Sequence, residues 1–324
     1  MDTSNTWLVS KLGNDANTGH ASTYPINLAN DAKLTIGAAA ALAAAGDTIL
    51  IWPGTYSELL DLATTGLNKA LSIVGINRHK TIITYPSGYA STVRLGSFCT
   101  LKNITVTCVD PNKAVDSGSG ITNILIEDCN IVGIIEGLDL YGASNVFIFN
   151  CYVEGTYDGF YFGLVKNLIA EKCIFKTTGA YVGAGEHRAG QCGPGDYIFR
   201  DCIFLTGIDA RASGQIGGLV GREGTATTMT LISCINCSFE AQNSTNQTAF
   251  GIKANNYCQI ALCNCNAWSK STTGAAYHLY IVTGGKIVVT GCAYDPTKCY
   301  GKPINLDSRW VQAIRETVPV GAGL

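Results

Sequence analysis

The segment ITNILIEDCNIVGIIEGLDLYGASNVFIFNCYVEGTYDGFYFG, residues 121–163, contains two copies of a single pattern. In each copy an asparagine introduces alternating apolar residues, a cysteine follows them, and a second apolar run begins two residues after the cysteine. Apolar side chains at every second position indicate β-strands, and each copy ends on a third such strand. A repeat of about 22 residues that carries three short strands predicts an all-β fold, a right-handed single-stranded parallel β-helix.

The pattern continues on both sides of this segment when its cysteine is used as a reference column. The column consists of one valine and seven cysteines, namely Val109, Cys129, Cys151, Cys173, Cys202, Cys237, Cys265 and Cys292. Small apolar thiols that stack coil upon coil predict a tight, buried corner at which each coil bends.

A zinc site is the alternative interpretation of the cysteines. Its candidate ligands are Cys234, Cys237, Cys258, Cys263 and Cys265. Cys234 occupies an inward column and Cys263 does not, which disfavours the four converging ligands that zinc requires. Core packing is the preferred interpretation.

The ends of the chain are predicted to close the solenoid. The alanine-rich segment LTIGAAAALAAA, residues 34–45, predicts a short helix that covers the N-terminal cross-section. Residues 1–307 are predicted to form one domain, and residues 308–324 a C-terminal cap or an attachment tail.

Composition restricts the class of protein and its partners. Hydrophobic residues make up 47% of the chain and charged residues 14%, which excludes intrinsic disorder. A formal net charge of -2 offers no basic surplus for nucleic acid, and no apolar run approaches the length of a membrane span. The opening residues MDTSNTWLVS lack the basic and apolar regions of a signal peptide. These residues therefore do not decide the compartment in which the protein works.

The segment from Lys33 to Thr84 resembles the entry of the pectin-lyase-like β-helix superfamily, which includes pectate lyases, polygalacturonases, pectin methylesterases and phage tailspikes. The resemblance implies the β-helix fold and a polysaccharide or cell-surface glycan as partner. It also implies a virion-associated or extracellular location and, as in appendage-type β-helices, a homotrimer.

Within that superfamily the nearest local likeness is to pectin methylesterases. The segment CYVEGTYDGFY, residues 151–161, places Asp158 at the catalytic acid of that family and Tyr157 where its glutamine stands. Ala180 falls where the nucleophilic aspartate is expected. No catalytic motif of a known family is complete, so the sequence does not decide whether the protein is an enzyme.

The third strand of each coil predicts a glycan-binding face. Its outward column is predicted to contain Asp139, Tyr161, Tyr181, Lys253 and Tyr280. Tyrosine rings can stack on sugars, and their hydroxyl groups can form hydrogen bonds with ligand hydroxyls. The alternative is an ordinary exposed strand face, where tyrosine is common.

A catalytic site is predicted at the longest coils. The insertion AGEHRAGQCGP, residues 184–194, brings together Glu186, His187 and Arg188, and the following coil supplies Arg211 and Arg222. A glutamate or histidine base with arginines that neutralise a uronate would suit β-elimination from an acidic polysaccharide. The alternative is a solvated loop with internal salt bridges.

A row of carboxylates is a candidate metal site. Asp116, Asp139 and Asp158 are predicted ligands for calcium, and with Glu136 they could instead supply a glycosidase pair. Acidic residues in turns without any role are the alternative.

Two functions therefore remain. The first is a glycan-binding or structural β-helix, for instance a phage tail appendage or cell-surface module. The second is a divergent polysaccharide lyase or glycoside hydrolase that acts on an acidic polysaccharide.

Overall fold

Successive coils of this chain each contribute one strand to each of three parallel sheets. The computed structural model describes residues 5–22, 25–63, 69–85, 90–109, 112–178, 186–207, 215–222, 224–225, 227–243, 248–272 and 274–305. Every strand pairs in parallel with its counterparts in the coils before and after it. The predicted right-handed parallel β-helix is confirmed.

Sheet 1 contains the strand that precedes each cysteine. Its twelve described strands are Thr6–Val9, Thr48–Ile51, Ser72–Gly75, Thr100–Lys102, Thr122–Glu127, Ser144–Phe149, Lys166–Glu171, Gly195–Arg200, Thr230–Ile235, Cys258–Cys263, Lys286–Thr290 and Ile304–Asn305. Sheet 2 contains the strand that follows the cysteine. Its nine described strands are Gly54–Ser57, Thr81–Tyr85, Thr105–Cys108, Asn130–Val132, Tyr152–Gly155, Ile174–Thr177, Ile203–Thr206, Ser238–Asn243 and Asn266–Ser271.

Sheet 3 contains the third strand of each coil and carries the candidate site. Its ten described strands are Leu60–Asp61, Ser91–Leu95, Lys113–Ser117, Glu136–Tyr141, Asp158–Gly163, His187–Cys192, Ile216–Gly221, Ala249–Ala254, Ala276–Ile281 and Cys299–Tyr300. Because paired parallel strands lie about 4.8 Å apart, residues in register form straight columns along the solenoid.

Residues in the left-handed conformation make the corner between sheets 1 and 2 and, in three successive coils, the corner at the entry to sheet 1. At the entry to sheet 1, Asn123, Asn145 and Asn167 have φ of 58°, 53° and 56°. The Nδ2 group of each of the last two donates to Oδ1 of the asparagine in the preceding coil at 3.1 Å. Between sheets 1 and 2, the residue before each cysteine from Cys129 to Cys265 has φ between 50° and 54°, and Gly291, before Cys292, has φ of 60°. The bend therefore lies one residue before the cysteine, since asparagine and aspartate tolerate this conformation.

The cysteine column is a packed corner of the core, as predicted. From Cys129 to Cys265 its thiols are at most 2% exposed, and all fourteen cysteines of the chain are free. Each thiol donates to a carbonyl of the preceding coil, as from Cys173 Sγ to the Ile148 oxygen at 3.5 Å. The valine was misplaced, because Val109 is 61% exposed and Ile104 occupies that position below Cys129.

No zinc site is formed by the described cysteines. Among the residues that the structure describes, no group of three or more His, Cys, Asp or Glu side chains is placed to hold a metal ion. The core instead continues through stacked aromatic rings, as where the Phe204 and Phe239 centroids lie 4.8 Å apart.

Short helices close the N-terminal end. Helix Leu28–Asp31 is followed by helix Ile36–Leu42, which lies within the predicted 34–45 segment. The Glu58 carboxylate accepts hydrogen bonds from the Ile36 and Gly37 amides, and the Lys69 ammonium donates to carbonyls at the other end of the helix. These charges complement the helix dipole and fix the cap on the first coils.

At the other end, the 3₁₀ helix Pro296–Lys298 precedes the last strand of sheet 3. The predicted boundary at residue 307 and the tail 308–324 lie outside the described residues. Within the described ranges, no helix combines the length and the apolar character that crossing a membrane requires.

Candidate functional site

One outward column of sheet 3 runs along the whole described solenoid. In order it contains Asp61, Arg94, Asp116, Asp139, Tyr161, Gln191, Val220, Lys253, Tyr280 and Tyr300. The structure thus aligns four of the predicted glycan-binding residues. The exception is Tyr181.

The predicted register of Tyr181 was wrong. Gln191 is the partner of Tyr161 in the next coil, and Tyr181 itself lies outside the described residues. The reason is that the extra residues of this coil precede the sheet-3 strand, which begins only at His187. An insertion ahead of the strand moves the outward position toward the C-terminus.

A cavity of about 650 Å³ opens on sheet 3 at these longer coils. Its lining consists of Tyr157, Tyr161, Glu186, Arg188, Gly193, Pro194, Arg222, Lys253 and Asn255. Residues predicted separately for catalysis and for glycan contact therefore meet in one place. We call this region the cationic cavity, because three of its side chains carry positive charge.

Ion pairs hold the charged side chains of the cationic cavity. Glu186 pairs with the Lys253 ammonium and, at 3.8 Å, with Arg188 Nη1. The Lys253 ammonium also lies 5.5 Å from the Tyr280 ring centroid. Arg222 is exposed, and no described carboxylate lies within ion-pair distance of it. The cavity thus keeps positive charge available to a ligand.

A buried ion pair supports the floor of the cavity. Asp158 is 1% exposed, and its Oδ1 accepts from Arg188 Nε at 2.9 Å and from the Arg188 amide at 3.1 Å. Burial raises the pKa of Asp158 to about 7, although Arg188 opposes the shift. The two residues are register partners, so Arg188 stands beside Asp158 in the next coil. Ala180 lies outside the described residues.

His187, which was predicted as a catalytic residue, is not among the side chains that line the cavity. Its side chain is 4% exposed and meets the Tyr157 ring edge-on, with centroids 5.0 Å apart. Arg188 lines the cavity, whereas His187 packs against Tyr157, which is itself a lining residue. Arg211 lies outside the described residues.

The N-terminal part of the same face is acidic. We call Asp61, Arg94, Lys113, Asp116, Glu136 and Asp139 the acidic half of sheet 3. Lys113 pairs with Asp139 and, at 3.6 Å, with Glu136, while Arg94 Nε lies 3.8 Å from Asp116. Burial raises the pKa of Asp116 to about 6 and also raises that of Glu136.

The predicted calcium ligands do not form a metal site. Asp116, Asp139 and Asp158 each face a different cation, namely Arg94, Lys113 and Arg188. Spread over three coils and paired in this way, they do not converge as calcium ligands do. Asp116 and Asp139 are register partners in neighbouring coils, as are Glu136 and Asp158, so the prediction of a glycosidase pair stays a prediction.

Tyr277 and Tyr300 also lie on this face, although the sequence did not predict them as glycan-binding residues. The Tyr280 and Tyr300 rings stack with centroids 4.7 Å apart and planes at 13°, and Tyr277 meets both edge-on at 5.1 and 5.7 Å. We call these three residues the tyrosine platform. Tyr300 follows a 3₁₀ helix that interrupts the repeat spacing, so periodicity alone could not place it.

Comparison with known proteins supports the fold. No model of a known protein family matches the sequence, and no curated protein matches it significantly. Pectate lyase Pel9A is similar in structure, with 13% identity and a TM-score of 0.57 over 91% of this chain and 80% of its own. A pectin methylesterase in complex with a hexasaccharide has 13% identity and a TM-score of 0.54, over 98% and 97% of the two chains.

A rhamnogalacturonan lyase is also similar, with 16% identity and a TM-score of 0.56 over 94% of this chain and 88% of its own. The chain therefore has the pectin-lyase-like β-helix fold that the segment from Lys33 to Thr84 predicted. At these identities the likeness establishes the fold alone.

Proposed function

We propose that this chain binds a polysaccharide that carries carboxylate groups, along the outer face of sheet 3 and with the cationic cavity as the main contact. The observation that carries the proposal is the convergence of Arg188, Arg222 and Lys253 on one cavity of about 650 Å³. Guanidinium groups bind carboxylates through two parallel hydrogen bonds, which gives both affinity and orientation.

The other walls of the cavity suit a sugar. Tyr157 and Tyr161 supply aromatic surface, and Asn255 supplies a polar side chain. Ligand sites of this kind combine apolar surface with a few polar groups that fix orientation. The complex of a pectin methylesterase of the same fold with a hexasaccharide supports a polysaccharide as the class of ligand.

Binding is favoured over catalysis by the placement of the acid and base candidates. His187 is buried against Tyr157 and does not line the cavity, and Asp158 is buried beneath Arg188. Glu186 is the described carboxylate that lines the cavity, and it is already paired with Lys253 and Arg188. A binding module of a phage tail appendage or a cell surface, assembled as a homotrimer, is the setting that we propose.

Calorimetric titration with a hexasaccharide of uronic acid tests the proposal. We expect the wild-type protein to bind it and Arg222→Gln to weaken binding about tenfold or more, since a lost charge-assisted hydrogen bond costs about 1.5–3 kcal/mol. Arg200→Gln, in sheet 1 and so away from the proposed binding face, is the matched control and should leave affinity unchanged. No binding by the wild-type protein would reject the proposal.

A second candidate function rests on Glu186. A carboxylate among three cations is an arrangement that could remove a proton next to a uronate carboxylate that arginine neutralises. Incubation with acidic polysaccharides and detection of unsaturated uronate absorbance tests it. Absorbance that Glu186→Gln abolishes would establish a lyase, whereas binding without product would leave the chain a binding module.

A further inference from the structure

The tyrosine platform lies in line with the cationic cavity. Lys253 lines the cavity, Tyr280 is its register partner in the next coil, and Tyr300 is the partner of Tyr280 in the coil after that. At about 4.8 Å per coil, the Tyr300 ring lies roughly 10 Å beyond Lys253 along the solenoid. A chain of sugars that leaves the cavity toward the C-terminal end would pass over the platform.

The platform presents aromatic surface to solvent. Tyr300 is 50% exposed, whereas Tyr280 is held between the Lys253 ammonium at 5.5 Å and the stacked Tyr300 ring at 4.7 Å. Tyr277 braces both rings through its edge. Three mutually packed rings lose little conformational freedom on binding, which favours them as a contact surface.

The chemistry of the platform differs from that of the cavity. The face of an aromatic ring carries negative quadrupolar charge, so it disfavours a carboxylate and accepts the apolar C–H face of an uncharged sugar. The cavity next to it is lined by three cations, of which Arg222 has no described carboxylate within ion-pair distance. Adjacent sugars of one ligand would therefore meet one surface that favours a carboxylate and one that disfavours it.

We infer that the tyrosine platform is a second sugar subsite, and that the ligand is a heteropolysaccharide in which an uncharged sugar lies within about two rings of a uronic acid. This inference rests on the proposed function, because it names the ligand class for the same face. The uronate occupies the cationic cavity, and the uncharged sugar lies over Tyr300.

Calorimetric titration with two probes tests the inference. One is a uronic acid disaccharide, which fills the cavity alone, and the other is a tetrasaccharide in which uronic acid and neutral sugars alternate. Tyr300→Ala should weaken binding of the tetrasaccharide about tenfold and leave the disaccharide unchanged, since only the longer probe reaches the platform. Tyr300→Phe should retain the wild-type affinity because the stacking face remains.

Tyr141→Ala is the matched control. Tyr141 is 47% exposed and belongs to sheet 3, but it lies in the coil Glu136–Tyr141, before the cavity. Tyr141→Ala should change the affinity for neither the disaccharide nor the tetrasaccharide. An unchanged tetrasaccharide affinity in Tyr300→Ala, or an equal loss in Tyr141→Ala, would overturn the inference.

The two proposals fail in different ways. If Arg222→Gln weakens the disaccharide and Tyr300→Ala affects neither probe, the platform is rejected and the cavity stands. If the tetrasaccharide depends on Tyr300 and neither probe responds to Arg222→Gln, the cavity is rejected and the platform stands. If the wild-type protein binds neither probe, both are rejected.

Discussion

The two halves of sheet 3 use the same backbone for opposite electrostatics. The acidic half has four carboxylates and two cations, and its ion pairs are partly exposed, with 33% of the Lys113 side chain accessible. At the cationic cavity the central pair is buried, with Arg188 and Asp158 at 7% and 2% side-chain exposure. One solenoid face can thus carry distinct sites, because each coil contributes independent side chains to a shared column.

The largest expected difference between the halves concerns stability. Arg188→Met leaves Asp158 buried without a partner, so at pH 8 it should lower the free energy of unfolding by about 3–5 kcal/mol. Lys113→Met in the acidic half should cost about 1 kcal/mol or less, because water screens partly exposed pairs. Urea denaturation measures both.

A second measurement sharpens this result. At pH 5 the folded protein holds Asp158 protonated, so the cost of Arg188→Met should shrink. Equal costs for the two substitutions, or a cost for Arg188→Met that is independent of pH, would show that burial does not distinguish the halves.

The pH dependence of stability should follow the same contrast. Asp158 has a pKa of about 7 in the folded chain against 3.8 as the ordinary value, so the folded state binds more protons between these values. Its contribution is present at low pH and is lost as the pH rises from about 4 to 7, by up to about 1.4 kcal/mol per pH unit. Asp158→Asn should remove this slope.

Asp116, in the acidic half, should give a smaller slope that ends near pH 6, where its pKa lies. It is less buried than Asp158, with 17% of its side chain exposed, so solvent screening reduces the effect. Thermal unfolding from pH 4 to pH 8 checks both variants. If Asp116→Asn removed more of the pH dependence of stability than Asp158→Asn does, the predicted order of the two effects would be wrong.

The smallest expected effect is that of charges in the acidic half on the affinity of the cationic cavity for its ligand. Neutralising the acidic half with Glu136→Gln and Asp139→Asn should strengthen binding of an acidic oligosaccharide about twofold at low salt, because repulsion of the ligand falls. The gain should vanish near 1 M salt, where the Debye length is about 3 Å.

The double variant Glu127→Gln and Glu171→Gln is the control for net charge. These residues belong to sheet 1, away from the proposed binding face, and the change in charge is the same. An equal gain from this variant would mean that overall charge, and not the acidic half, governs ligand affinity.

Much of the site could be predicted where coils have constant length. Asp139 and Tyr161 are separated by one 22-residue repeat, and the structure pairs them in register. Lys253 and Tyr280 are likewise register partners. The insertion with Glu186 and Arg188 was also recognised, and the structure brings it to the same cavity as Tyr161.

The failures occur where coil length changes. Gln191, and not Tyr181, follows Tyr161, because periodicity does not reveal on which side of a strand an insertion lies. Val109 was misaligned for the same reason, since the step from Ile104 to Cys129 is longer than the repeat. The sequence predicts both His187 and Arg188 as functional, but only Arg188 lines the cavity, while His187 packs against Tyr157.

The sequence by itself determined the solenoid, its three strands per coil and its cysteine corner. It could do so because like residues stack on like at each coil, which repeats the same local preferences many times. Tertiary structure alone decided which side chains share the cavity, that Asp158 lies buried beneath Arg188, and that Tyr300 stacks on Tyr280. These properties depend on desolvation and on contacts between coils of unequal length, which no local pattern encodes.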